Sequence, residues 1–100
     1  MTGFEKTIYS LCKKIPPGKV STYKFLAQAA GKPRAYRAAA NALAKNKKLF
    51  EIPCHRVVRS NGLSGGYAGG SRNKTMLLKQ EGVKFKGNKI LKNLIVKING

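Results

Sequence analysis

Residues 21–45, STYKFLAQAAGKPRAYRAAANALAK, hold two short helical stretches divided by a Gly-Lys-Pro break, and their reading decides the fold. Ser21 or Thr22 can cap a helix running through Tyr23, Leu26, Ala27 and Ala30, and Gly31 suits the left-handed residue that ends it. Pro33 then predicts the opening of a further helix to about Lys45. Two helices so joined form a helix-turn-helix, whose second member is expected to enter a DNA groove. Ala35, Ala38, Ala39 and Ala42 recur at i, i+3, i+4 and i+7, a flat face that lets the backbone approach a partner, with Arg37 among them. Periodicity alone equally permits the alanines to pack inside while Tyr36, Ala40 and Leu43 look outward.

Upstream, Phe4, Ile8, Leu11 and Ile15 mark an amphipathic helix over Thr2 to Lys14, with Glu5 in its first turn and Pro16-Pro17-Gly18 as its stop. Downstream, Leu49 to Ile52 reads as a short extended segment, and Asn61-Gly62 as a tight turn. The glycine-rich stretch from Ser60 to Ser71 reads either as a flexible loop or as an ordered one shaping a pocket around Tyr67. It lacks the glycine spacing and strand-helix-strand setting of a dinucleotide site. Asn73 to Gly82 predicts a last helix carrying Met76, Leu77 and Leu78. Val83 to Ile98 suggests either a β-hairpin around Gly87-Asn88 or a frayed basic tail.

One hundred residues are enough for one domain, residues 1–100, with a single small core. The longest apolar runs are too short to span a membrane, and the N-terminus lacks the apolar core of a secretory signal, so an intracellular location is expected. In that setting Cys12 and Cys54 are expected to stay reduced, and with His55 they lack the paired spacing of a zinc site. Neither a metal nor a cofactor is expected. Twenty-one Lys and Arg face three Glu and no Asp, a formal net charge of +18. Such a field attracts polyanions and releases their counterions, which favours nucleic acid over an anionic membrane.

The chemistry is carried by Pro53-Cys54-His55-Arg56-Val57. A thiol attacks as its thiolate, and an unperturbed cysteine with a pKa of about 8.5 is mostly protonated near pH 7. His55 offers a base and Arg56 a positive field. Pro53 disfavours a helical residue before it, so the thiol stands where an extended segment gives way to a turn. Placed at the start of a short helical turn, the thiolate would be stabilised by backbone N–H groups.

In order, a helix-turn-helix with Arg37, then Asn46, the Pro-Cys-His-Arg-Val motif, a glycine-rich loop with Tyr67 and a helix ending at Glu81 resemble the catalytic domain of the O6-alkylguanine-DNA alkyltransferases, from about Phe4 to Phe85. The resemblance implies a mainly α fold with a small β component, a winged helix-turn-helix-like DNA-binding catalytic domain. Residues 86–100 remain a basic tail or a hairpin strand. It further implies a monomer that binds double-stranded DNA in the minor groove, rotates an O6-alkylguanine out of the stack and moves its alkyl group irreversibly onto Cys54. That reaction is direct-reversal DNA repair, a single-turnover methyltransferase activity. The compartment would be the cytoplasm of a prokaryote or the nucleus of a eukaryote.

The implied roles follow the matching positions. Cys54 is the nucleophile, His55 takes its proton through a water, and Glu81 orients the imidazole. Without the resemblance Glu81 reads as a surface carboxylate at a helix end. Asn46 links the recognition helix to the cysteine, Tyr23 presses on the neighbouring phosphate and donates toward the guanine, and Arg37 is the finger that fills the vacated stack. Ala35, Tyr36, Ala38 and Asn41 accompany it on the DNA side. Tyr67, Ala68, Gly69 and Val57 line the base pocket. The family commonly has a small residue before the finger, a hydroxyl after the pocket tyrosine and Gly, Ala or Ser at position 41, where this chain carries Tyr36, Ala68 and Asn41. Longer relatives add an N-terminal domain, and this chain reads as the catalytic domain alone. The alkyltransferase-like proteins, which bind the same lesion without a cysteine at the motif, are the main rival class.

Overall fold

The structure, a computed structural model, describes residues 3–48, 51–63 and 71–98. Helix α1 spans Gly3–Cys12 and buries Ile8, Tyr9, Leu11 and Cys12, the face its apolar spacing dictates. The helix-turn-helix follows. Helix α2 spans Tyr23–Ala29, and Thr22 caps it by accepting a 3.0 Å hydrogen bond from the Phe25 N–H. Gly31 ends this segment at φ +81°, the left-handed geometry expected of it. Helix α3 spans Tyr36–Ala44 and so begins three residues later than Pro33 suggested. Pro33 lies instead in a turn, closed by the Ala35 N–H on the Lys32 carbonyl at 2.9 Å.

The alanine face divides between the two alternatives. Ala39 and Ala42 are buried together with Leu43, while Tyr36, Arg37, Ala38 and Asn41 face outward. Leu43 therefore points into the core, contrary to the second alternative, because the buried stripe runs through 39, 42 and 43.

Ile52 does not continue an extended segment. It sits in a bend whose N–H returns to the Lys48 carbonyl at 2.8 Å, while Leu49 and Phe50 lie outside the described residues. A 3-10 turn at Cys54–Arg56 follows, then strand β2, Val57–Val58, paired in parallel with β1, Ser21–Thr22. Strand alternation sends Val57 into the core formed with α1, α2 and α3, and Val58 to the other side against Val20, Leu78, Val83 and Ile90. These two residues tie the 3-10 turn to both cores.

Helix α4, Ser71–Gln80, starts two residues earlier than expected and turns Leu78 inward while Met76 is exposed. After Gly82, at φ +91°, strands β3 (Phe85–Lys86) and β4 (Lys89–Ile90) form the antiparallel hairpin that the sequence left open, turning at Gly87 with φ +65°. The chain then returns to the body. Ile95 bridges to Val20, and the Val96 N–H bonds the Val20 carbonyl at 2.8 Å. The architecture is the mainly α, winged helix-turn-helix-like one that the sequence predicts.

Candidate active site

Cys54 opens the 3-10 turn and is almost wholly buried beneath the end of α3. Pro53 leads into it at φ −77°, and the Arg56 N–H closes the turn on the Pro53 carbonyl at 2.9 Å. Buried Asn46, two residues past α3, spans the gap between helix and thiol. Its Nδ2 donates to the Ile52 carbonyl at 3.0 Å and to Cys54 Sγ at 3.3 Å, while its Oδ1 accepts from the Lys48 N–H at 2.9 Å. One amide thus braces the turn and solvates the sulfur.

Burial pushes the Cys54 thiol up, and the Asn46 hydrogen bond and the Lys74 charge offset only part of that rise. The turn's backbone does favour the thiolate, as the sequence reading expects, but desolvation of the buried anion outweighs it, so the net shift is upward. Cys12, also a free thiol, is pushed higher still, to about 12, by burial in the same core.

His55 is buried on the other side of the turn, with Nε2 3.1 Å from Glu81 Oε2. Burial lowers its pKa, more than the neighbouring carboxylate raises it, a shift that favours the neutral imidazole. Glu81 is also gripped by Arg56, whose Nε and Nη2 donate to Oε1 at 2.9 Å and Oε2 at 2.5 Å. Burial alone would raise the Glu81 carboxyl, but Arg56 and His55 together hold it below its ordinary value. Arg56 spends its charge here and on the Ile15 carbonyl, so it is not the source of the positive field at Cys54.

That source is Lys74, which the sequence reading missed. It is fully buried on α4, and its Nζ donates to the Val57 carbonyl at 2.6 Å and lies 3.5 Å from the Tyr23 hydroxyl. Burial pulls its pKa down to about 8, against the raising influence of the two thiols. The same environment pushes Tyr23 up to about 12, chiefly by burial. The available signal was spacing: 74, 78 and 81 fall on one helical face with a buried leucine in the middle.

Among the described residues, Tyr23, Tyr36, Arg37, Asn41 and Cys54 line one cleft, joined by Lys24 and Arg59, which the sequence reading did not single out. Ala38 is exposed on α3 beside this cleft, and Ala35 stands half-buried at the N-cap of that helix. Val57 meets the site through its carbonyl, already engaged by Lys74. Tyr67, Ala68 and Gly69 lie outside the described residues. The cleft therefore presents a buried sulfur behind a basic, aromatic rim built on the N-terminal turn of the second helix of a helix-turn-helix.

A sequence model of the DNA-binding domain of 6-O-methylguanine DNA methyltransferase matches residues 3–83. The chain is 45% identical over 80 residues to the bifunctional transcriptional activator/DNA repair enzyme Ada of Escherichia coli, covering 80% of this chain and 23% of that protein. It is 46% identical over 80 residues to a methylated-DNA–protein-cysteine methyltransferase of Methanosarcina barkeri, covering 80% of this chain and 51% of the relative. The chain thus spans between about a quarter and a half of these relatives' length. Among solved structures, S. pombe Atl1 in complex with damaged DNA containing O6-carboxymethylguanine superposes with a TM-score of 0.83 at 28% identity, over 97% of both chains. Mycobacterium tuberculosis OGT in complex with DNA superposes with a TM-score of 0.79 at 34% identity, over 82% of this chain and 50% of that one.

Proposed function

Because the chain belongs to the 6-O-methylguanine DNA methyltransferase DNA-binding domain family, we propose that it repairs alkylated DNA by moving the alkyl group of an O6-alkylguanine onto its own Cys54. The observation that carries this reading is a buried thiol held by Asn46 at the back of a cleft whose rim bears Arg37 and Tyr23. Monomeric action within the cell, where thiols stay reduced, fits that chemistry.

Double-stranded DNA docks with α3 in its minor groove, with Ala35, Tyr36, Ala38 and Asn41 on the approaching surface. The damaged guanine rotates into the cleft, and Arg37 occupies the vacated stack, offsetting the few kcal/mol of unstacking. Tyr67, Ala68 and Gly69, with the Val57 backbone, complete the base pocket. Neutral His55, oriented by Glu81, accepts the Cys54 proton by way of a water. Sγ then forms a bond to the alkyl carbon as the carbon–O6 bond breaks, and the electron pair returns to guanine. Tyr23, beside the Lys74 ammonium, passes a proton toward the leaving base, which restores guanine, and the proton held by His55 returns to the phenolate through solvent, so that no net proton is gained or lost. A thioether offers no route back to a thiol, so each molecule acts once. Neither metal nor cofactor enters this sequence of steps.

A second reading is a lesion-binding protein that transfers nothing. Two observations favour it: burial raises the thiol, and the superposition on Atl1 covers 97% of both chains. Alkyl transfer by the parent chain separates the readings, and Cys54→Ser tests the nucleophile. We expect it to bind an O6-methylguanine duplex as well as the parent chain while losing all transfer; transfer surviving in this variant would remove Cys54 as the nucleophile.

A further inference from the structure

Residues 84–98 follow the stretch that the family model matches, and they carry five lysines and no acidic residue. All five lysines are exposed. The hairpin that bears Lys86 and Lys89 is fixed by backbone to the segment that follows Cys54. The Ile90 N–H donates to the Gly62 carbonyl at 2.9 Å, Leu63 bridges to Lys89, and a Cβ at Gly62 would stand 3.3 Å from the Ile90 carbonyl. Gly62 is in turn held by the Arg59 carbonyl at 2.9 Å, only a few residues past Cys54.

Between the hairpin and this turn runs a second cleft, lined by Ser60, Asn61, Lys86, Lys89 and Lys92. Ser60 also lines the Cys54 cleft, so the two share a wall. Within the hairpin Lys86 and Lys89 are direct cross-strand partners. Like charges so placed repel and weaken a two-stranded ribbon, and no acidic side chain of the segment relieves them. An anion lodged between them would.

We propose that the 86–92 cleft is a second DNA-binding tract, which holds the sugar-phosphate backbone of the duplex beside the lesion site. It rests on the reading that the Cys54 cleft takes DNA, and adds a contact that reads neither sequence nor lesion. Lys86, Lys89 and Lys92 each neutralise a phosphate, and Ser60 and Asn61 supply neutral hydrogen-bonding groups. The tract gives affinity and register, while discrimination stays with the Cys54 cleft.

The test measures affinity for a lesion-free duplex against salt concentration, using the full chain and a K86Q/K89Q/K92Q variant whose fold is checked by circular dichroism. Each phosphate contact contributes about 0.9 to the slope of log affinity on log salt, so the variant's slope should fall by roughly 2 to 3. A K6Q/K13Q/K14Q variant removes the same charge from the α1 region, none of whose residues line either cleft, and should leave the slope within about one of the parent's. Equal slopes for the parent and the hairpin variant would overturn the proposal, as would equal losses in the two variants. No chemistry occurs on this duplex, so failure of alkyl transfer is scored separately.

Discussion

At Cys54 opposing forces meet on one sulfur: burial favours the thiol, while the Asn46 amide and the Lys74 ammonium favour the thiolate. Removing the amide should therefore raise the thiol pKa and slow its alkylation. A hydrogen bond to a charged group contributes about 1.5 kcal/mol or more, so Asn46→Ala should react with iodoacetamide at Cys54 roughly tenfold more slowly near pH 8. The check is the pH profile of Cys54 modification, followed by peptide mapping to separate it from Cys12; an unshifted profile would show that the amide only braces the backbone. The Cys54–His55 pair stands out in the sequence because few residue types do covalent chemistry, whereas Asn46 is singled out there only by the family resemblance. Lys74 was not, since one lysine among twenty-one basic residues looks like any other until helical spacing sets it beside Leu78. The outcome at Cys54 was misjudged because burial depth is a tertiary quantity.

The elements around the site are joined by Arg56, which ties the end of α4 through Glu81 to the 3-10 turn and, through the Ile15 carbonyl, to the segment after α1. The side chains of this ion pair are 15% and 19% exposed, so losing it should cost less than a fully buried pair, about 2 kcal/mol for Glu81→Gln. Its pH dependence has a definite sign. The folded-state pKa of Glu81 is depressed, so its contribution is complete above the ordinary carboxylate value of about 4.3 and is lost as pH falls through the lower folded value. Denaturant titrations of both proteins should show a gap in stability at neutral pH that closes in acid; a constant gap would place the effect elsewhere. The helices themselves were legible from apolar spacing and Gly31 as a helix end, while the cap lay open between Ser21 and Thr22 until the Phe25 N–H chose Thr22. Their edges were not: Pro33 tolerates a turn as well as a first helical residue, and a closing N–H at Ala35 decided between them.

For the molecule as a whole, a charge of +18 predicts the class of partner but not where it lies. Folding sorts that charge into a few roles: Arg56 and Lys74 are consumed inside, Arg37, Lys24 and Arg59 rim the reactive cleft, and the hairpin lysines flank it. The hairpin was half legible, because Gly87-Asn88 marks a turn while the flanking strands are only two residues each and depend on docking against Gly62 and Val20. The proposed function asks this arrangement to bring one thiol, Cys54, to one lesion. The most direct test is the intact mass of the protein after incubation with a duplex containing O6-methylguanine, followed by peptide mapping. We predict a single added methyl group on Cys54 and no second turnover; a protein that binds the lesion and emerges unmodified, or is methylated at another residue, would contradict the assignment.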